Sequence, residues 1–267
     1  MVKTIGVISL KGGVGKTSTV VSLGAAFFDI GKKVLLVDGN FSSPTLGLHL
    51  NVIDPRETLH HVLSHTVNVN DVVHNLDYFD LLPSSIFSDI LINPLQLKDK
   101  IKNLKWKYDV VILDSSPSLN DETLAVILAS DKLIVVTTPD FPTLSTTMKA
   151  VKFAKQRGTP ISGLVVNKCY NKNFELSLND IEEISGVPIL AVIPYDKDFL
   201  KALSEFSPYT VHKPRSEGSE EYRRLAATLI GEEYKPLKLK RFLRWINPQK
   251  QDINRTIYYK EIFNKNP

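Results

Sequence analysis

Apolar, β-branched runs alternate with helical patterns along most of this chain of 267 residues. The runs are apolar at successive positions, which is typical of strands buried on both faces in a parallel sheet. The predicted strands are Thr4 to Ser9, Val34 to Asp38, Phe79 to Leu82, Asp109 to Asp114, Lys132 to Thr137, Gly163 to Asn167 and Ile189 to Ile193. This pattern predicts an α/β fold that is doubly wound, with a mainly parallel sheet and helices on both faces.

Between several of these strands, apolar positions recur at the spacing of an amphipathic helix. The predicted helices are Thr17 to Asp29, Asp121 to Ala129, Thr143 to Gln156, Leu178 to Ile184 and a closing helix from Ser216 to Ile230. With 43% apolar residues, the chain can build one ordinary core. We therefore predict one domain over residues 1–231, followed by a tail over residues 232–267.

The first predicted strand leads into a glycine-rich loop that precedes a helix, which is the setting of a phosphate-binding loop. Its glycines allow successive backbone N–H groups to turn toward one anion, and the helix N-terminus adds its positive dipole end. Lys16 can neutralise the β and γ phosphates of a nucleotide, and the Thr17 hydroxyl can ligate Mg²⁺. The predicted nucleotide-binding residues are Lys11, Gly12, Gly13, Val14, Gly15, Lys16, Thr17 and Ser18.

The loop departs from the ordinary phosphate-loop pattern because Leu10 stands where that pattern has glycine. It satisfies K-G-G-x-x-K-[ST] instead, and so resembles the deviant Walker A loop of the MinD/ParA family of P-loop ATPases, with archaeal-type MinD the most similar branch. The resemblance runs from Val2 to about Ile230. It implies binding of ATP and Mg²⁺ and an ATP-dependent homodimer, in which Lys16 contacts its own nucleotide and Lys11 reaches the nucleotide of the partner.

Three further residues match the family in order. Asp114 ends an apolar strand, as a Walker B carboxylate does when it holds Mg²⁺ through water. Asp38 and Asn40 resemble the Asp-x-Asp of the first switch, with an amide in place of the second carboxylate. In the family that carboxylate positions the attacking water, and an amide can hydrogen-bond water but cannot accept its proton as a base. The expectation is slow ATP hydrolysis.

Two segments resemble the adenine-contacting loops of the family. Asn167 ends a strand, and a guanine-selective N-K-x-D pattern would require aspartate where this chain has Tyr170. Pro194 and Asp196 resemble the second base-contacting loop, although a turn with proline after a strand is common without any ligand. ATP is therefore the expected nucleotide.

The net charge of +4 is unevenly distributed. Residues 232–267 carry nine Lys or Arg and four Asp or Glu, a net of +5, which leaves the preceding residues at −1. Within this tail, residues 237–246 have the pattern of an amphipathic helix lying at an interface, too short to span a bilayer. Its apolar side is formed by Leu239, Phe242, Leu243 and Ile246, with Trp245 at the edge.

MinD proteins carry a similar basic helix, which implies attachment to an anionic membrane surface and a protein partner. The alternative to membrane attachment is that this helix packs on the domain as its last helix. A different function, DNA partition as in ParA, would bind DNA phosphates through the basic tail and through upstream cations. Because acidic residues lie among those upstream cations, DNA is less favoured. Those cations are Lys213, Arg215, Arg223 and Arg224. Because of Asn40, an ATP sensor without hydrolysis is also possible.

A lone cysteine, Cys169, excludes a disulfide framework within the chain and opposes the iron–sulfur relatives of the family. We expect a cytoplasmic protein, peripheral on the inner face of the cell membrane. Four histidines, His60, His61, His65 and His74, are predicted to be surface residues rather than metal ligands, since no third ligand accompanies the pair at helical spacing.

Overall fold

A computed structural model describes residues 4–232, 234 and 249–265, with the side chains of the last four residues excluded. Eight strands form one sheet in the order β3-β4-β2-β5-β1-β6-β7-β8. The strands are β1 Thr4–Ile8, β2 Val34–Gly39, β3 His74–Asn75, β4 Asp80–Leu82, β5 Val110–Ser115, β6 Lys132–Thr137, β7 Ile161–Cys169 and β8 Ile189–Pro194. All neighbours pair in parallel except the short edge strand β3, which is antiparallel to β4.

Helices cover both faces of this sheet. They are α1 Lys16–Asp29, α2 Leu59–Leu63, α3 Leu97–Ile101, α4 Asp121–Ala129, α5 Phe141–Gln156, α6 Leu178–Ser185, α7 Asp198–Ser204, α8 Tyr209–His212, α9 Glu217–Ile230 and α10 Lys250–Lys265. Short 3₁₀ turns lie at Leu48–Leu50, Pro94–Gln96 and Leu104–Trp106. Among these described helices, none combines the length and the apolar character needed to cross a bilayer.

The core consists of two apolar layers, one on each face of the sheet, because successive strand side chains point in opposite directions. On β1, Ile5 and Val7 pack with α1 and α9, whereas Ile8 packs with α4 and α5 on the other face. Both sets are buried to 1% exposure or less. The predicted doubly wound α/β fold is confirmed, and so are its seven strands and five helices.

One long element has no counterpart among the predicted helices. Helix α10, within the predicted tail, packs on β8 and α9. Arg255 is its buried anchor, donating to Leu190 O at 2.8 Å and to Glu221 Oε2 at 2.9 Å. Tyr258 OH lies 2.8 Å from Ser162 Oγ and accepts from Lys132 Nζ at 3.0 Å. Since these partners are near the beginnings of β6, β7 and β8, α10 crosses the end of the sheet opposite its carboxyl ends.

Residues on both sides of the segment outside the description meet one arginine of α9. The Arg224 guanidinium carbon is 5.9 Å from the ring centre of Tyr234, and its Nη1 is 3.3 Å from Asp252 Oδ1 on α10. At the same end, Lys32 Nζ pairs with Glu232 Oε1 at 2.6 Å. The predicted amphipathic helix over 237–246 lies outside the described residues, and the packed helix of the tail is α10.

Candidate functional site

The glycine-rich loop lies between β1 and α1, at the carboxyl end of the sheet where such folds bind ligands. Gly13 and Gly15 have φ of 77° and 91°, a left-handed conformation that glycine adopts without a Cβ clash. At Gly15 the neighbours also demand glycine, since a Cβ there would lie 2.2 Å from Asn167 Nδ2. The loop therefore presents its backbone N–H groups and the start of α1 to one point, which suits a phosphate.

Lys16 and Thr17 meet Asp114 directly beneath this loop. Lys16 Nζ is 2.8 Å from Asp114 Oδ1, and Thr17 Oγ1 donates to Asp114 Oδ2 at 2.6 Å. Asp114 is fully buried at the end of β5, and the parallel register sets it beside Asp38 at the end of β2. Two predicted metal-binding carboxylates and the predicted Mg²⁺ hydroxyl thus lie together, with one lysine.

Asp38 has an unusual electrostatic setting. Its carboxylate accepts from the backbone N–H groups of Leu46 at 3.0 Å and Asn40 at 3.2 Å. Burial and the neighbouring Asp114 raise the pKa of Asp38 to about 8, although those N–H groups and the charge of Lys16 act in the opposite direction. One cation does not offset two buried carboxylates, so the site favours additional positive charge.

These oxygen atoms fit Mg²⁺, which prefers hard oxygen ligands and usually keeps several waters and substrate phosphates in its shell. Thr17, Asp38 and Asp114 are the side chains that would hold it. No cluster of three or more His, Cys, Asp or Glu side chains suited to a metal occurs in the described part of the chain. A metal bound through few protein ligands, as Mg²⁺ is with a nucleotide, is compatible with this arrangement.

Asn40 lies in the loop after β2 and lines the cavity above the two carboxylates. Its side-chain Nδ2 makes a short hydrogen bond to Ser43 O, which ties the amide into its own loop. The Asn40 Oδ1 atom is buried and has no hydrogen-bond partner within the described structure. A buried acceptor without a partner is costly, so a water or ligand group that reached this oxygen would bind it favourably.

Lys11 does not contact the buried carboxylates. Its Nζ donates to Thr143 Oγ1 at 2.6 Å and lies 3.4 Å from Asp140 Oδ1, at the first turn of α5. Partial burial alone would raise the pKa of Asp140, but hydrogen bonds from Thr138 and Thr143 and the charge of Lys11 lower it. The Lys11 side chain remains 39% exposed, beside the cavity rather than beneath it.

The predicted base-contacting residues lie on the opposite wall of the same cavity. Asn167 Nδ2 donates to Val14 O at 2.8 Å, so this amide fastens the glycine-rich loop to β7. Asp196 accepts from Tyr209 OH and from Lys213 Nζ, each at 2.8 Å. Together with Pro194 and the loop, they line a cavity of about 540 Å³. That volume is within the range of small-molecule sites.

Sequence reasoning missed several residues of the site. Thr45 Oγ1 is 3.2 Å from Thr17 Oγ1, and Lys168 Nζ donates to Gly13 O at 2.6 Å. Tyr195 and Phe199 complete the cavity wall. Lys168 and Tyr195 were signalled by their neighbours Asn167, Pro194 and Asp196, whereas Thr45 sits in a loop with no recognisable pattern.

One of the histidine predictions is wrong. His60 is only 4% exposed, because α2 turns it beneath the loop that follows β2. Its ring packs edge-to-face against Phe41 with 5.8 Å between centroids, and burial lowers its pKa. His65 is exposed, and His61 and His74 are partly exposed.

Comparisons with known proteins fit this geometry. A family model described as an AAA domain matches residues 2–158, which include the glycine-rich loop and both buried carboxylates. An uncharacterized ATP-binding protein of Methanocaldococcus jannaschii is 30% identical over 237 residues, 88% of this chain and 90% of that protein. The septum site-determining protein MinD of Bacillus subtilis is 28% identical over 249 residues, 87% of this chain and 90% of that protein.

A solved structure extends the similarity to three dimensions. The septum site-determining protein MinD of Pyrococcus horikoshii, complexed with Mg-ADP, matches with a TM-score of 0.81 and 31% identity. The match covers 86% of this chain and 96% of that one. The similarity is therefore one of overall fold across most of the chain.

Proposed function

Because the chain belongs to the MinD/ParA family of P-loop ATPases, we propose that it is a MinD-like switch that dimerises on binding Mg–ATP. In this proposal the dimer attaches to an anionic membrane through the tail, engages a protein partner and hydrolyses ATP slowly. The protein would then be cytoplasmic and peripheral on the inner face of the cell membrane. The observation that carries the proposal is the division of two loop lysines, Lys16 inward and Lys11 outward.

The inward residues suit nucleotide binding within one subunit. The backbone N–H groups of the loop and Lys16 would hold the β and γ phosphates, after Lys16 exchanges part of its contact with Asp114 for phosphate oxygen. Mg²⁺, held by Thr17 and through water by Asp38 and Asp114, supplies charge neutralisation at the transferring phosphoryl group. Asn167, Pro194 and Asp196 would face the base.

The outward lysine suits contact between subunits. Lys11 Nζ is held by the partly exposed Asp140, which caps α5, and by Thr143 in the first turn, and these two residues stay hydrogen-bonded to each other when the lysine leaves. A cation delivered to the nucleotide of the other subunit stabilises the dimer and the developing phosphate charge together. ATP binding and dimerisation would thereby become one coupled event.

Slow hydrolysis follows from Asn40. The amide lines the cavity, and its free Oδ1 can orient a water molecule, but it does not accept the proton of that water. The nearby carboxylate, Asp38, is committed to two backbone N–H groups and, in this proposal, to the water shell of Mg²⁺. A long-lived ATP state is the expected result.

Membrane attachment is proposed from the tail sequence. The segment 237–246 combines Leu239, Phe242, Leu243, Trp245 and Ile246 with basic residues, and each such cation is worth about 1 kcal/mol near an anionic surface. One segment alone would bind weakly. Two segments on a dimer bind as one event, so attachment should follow ATP.

The alternative of DNA partition finds less support in the described charges. Lys213 pairs with Asp196 and Asp198, and Arg223 pairs with Asp29. Arg224 pairs with Glu220 and Asp252. Three of the four upstream cations considered for phosphate contact are thus engaged with carboxylates, which lowers their attraction for a nucleic-acid backbone.

Flotation with anionic vesicles tests the proposal. The full chain should float with vesicles of phosphatidylglycerol and phosphatidylcholine in Mg–ATP, and remain in solution with Mg–ADP. Phe242→Glu, which puts a charge on the apolar side, should abolish flotation without affecting ATP binding. If the parent protein stays in solution in ATP and binds double-stranded DNA tightly in the same buffer, the partition function replaces ours.

A further inference from the structure

A buried acid lies directly under the loop that carries Asn40. Helix α4 packs on the end of β2 so closely that a Cβ on Gly39 would lie 2.6 Å from Val126. One turn earlier on α4, Glu122 reaches the same loop. Its Oε1 accepts from Ser42 N at 2.9 Å and makes a short hydrogen bond with Ser42 Oγ. A single carboxylate oxygen therefore holds both donors of one loop residue.

The burial of Glu122 destabilises the folded state. The residue is 6% exposed, and its second oxygen, Oε2, is buried with no hydrogen-bond partner among the described residues. A buried carboxylate that is only half satisfied is destabilising, and an apolar residue would pack there at lower cost. The presence of such a group at this position is better explained by a role in function than by a role in stability.

The same loop is braced at a second point. The ring of buried His60 packs against Phe41, the residue between Asn40 and Ser42. On the cavity side, the Asn40 amide bonds to Ser43 O and leaves Oδ1 without a partner. Two buried polar side chains, His60 and Glu122, thus contact the two residues that directly follow Asn40, which itself lines the nucleotide cavity.

We propose that Glu122 is a positioning residue for ATP hydrolysis, holding residues 40–43 through Ser42 so that the Asn40 amide faces the reacting phosphate. The inference rests on the proposed ATPase function. An amide can only orient water, so the rate depends on how firmly the amide itself is held. Charge-assisted hydrogen bonds from Ser42 to a buried carboxylate provide that rigidity.

Steady-state hydrolysis of Mg–ATP by the full chain tests the role. Glu122→Ala should lower kcat by at least about tenfold, in line with the effect of a misplaced catalytic group, while KM and the Kd for ATP stay within about twofold. Glu122→Gln keeps an oxygen that accepts from Ser42 and should retain at least about a third of the parent kcat. Glu183→Ala on α6, an exposed acid far from the loop, is the matched control and should be unchanged.

Amide hydrogen exchange without nucleotide provides a readout independent of activity. In Glu122→Ala the peptide over residues 40–46 should exchange at least about tenfold faster than in the parent, and in Glu122→Gln it should stay protected. Parent-like kcat in Glu122→Ala, or unchanged exchange in that peptide, would overturn the proposal. So would a Glu122→Gln protein as inactive as Glu122→Ala, since that result assigns the carboxylate to proton transfer. A parent protein that binds no ATP would refute the proposed function instead. The exchange result would still report whether Glu122 holds the loop.

Discussion

Lys11 has to leave its own subunit before it can reach the nucleotide of a partner, and the strength of its present contacts determines what that step costs. The variant Asp140→Asn removes the charge that Lys11 faces at 3.4 Å. It should leave α5 intact, because Asp140 caps that helix by accepting from Thr143 N at 2.9 Å and asparagine caps equally well. The variant therefore removes the ion pair while keeping the helix cap.

The magnitude follows from exposure. Lys11 and Asp140 side chains are 39% and 43% exposed, so their pair is a surface salt bridge worth about 0.2–1 kcal/mol. Each dimer releases two such lysines, which gives about 0.4–2 kcal/mol in total. Asp140→Asn should thus tighten the ATP-dependent dimer by about twofold to thirtyfold. Lys11→Ala should keep ATP binding and lose the dimer.

Sedimentation velocity in Mg–ATP over a range of protein concentrations measures this constant. Asp99→Asn, an exposed acid on α3, serves as the charge-matched control and should dimerise as the parent does. A weaker dimer in Asp140→Asn would mean that Asp140 stabilises the dimer, contrary to our reasoning. A Lys11→Ala protein that dimerises normally would refute the role assigned to Lys11.

Three further outcomes are expected. Arg255→Met removes the buried cation that pairs with Glu221 at 2.9 Å and should lower the free energy of unfolding by about 3–5 kcal/mol in urea titrations, with Glu221→Leu in the same chain restoring most of it. The folded-state pKa of Asp38 is raised to about 8, so the parent protein loses stability as pH rises from about 4 to about 8. Asp38→Asn should remove that loss. In urea unfolding of the nucleotide-free protein, the variant should gain at least about 1.4 kcal/mol over the parent between pH 4 and pH 8. Asn40→Asp should raise ATP turnover by an appreciable part of the 10²- to 10⁴-fold that an acid–base group supplies, and equal rates would assign control of hydrolysis to another residue.

The phosphate loop and the sheet were predictable because each depends on local pattern. Strand residues such as Val110 to Leu113 are apolar at consecutive positions, and only a strand buried on both faces requires that. The loop from Lys11 to Ser18 needs its glycines for backbone geometry, so its spacing identifies it without tertiary context. Asp38 and Asp114 followed from their resemblance to the first switch and the Walker B segment of the family, and the parallel register sets them side by side.

The residues that the sequence did not reveal depend on contacts between distant segments. Glu122 looks like an ordinary acid in the first turn of a helix, and only the packing of α4 on β2 brings it beneath Ser42. His60 was placed at the surface because the histidines lack a further metal ligand, and the sequence does not show that α2 packs this ring against Phe41. Helix α10 has a weak apolar pattern, and what holds it is Arg255 and its buried acid, a pairing over 34 residues. Periodicity does not report such pairs.

The convergence of the tail at Arg224 limits how far it can extend. Tyr234 and Asp252 both approach this arginine, so the eighteen peptide units between them begin and end at one point on the domain. Fully extended, they span about 60 Å, and a loop that returns to its origin reaches about half of that, or about 30 Å. A surface that binds a residue between Tyr234 and Asp252 therefore lies within about 30 Å of Arg224. A tail fixed at only one end would permit twice the distance and a lower effective concentration.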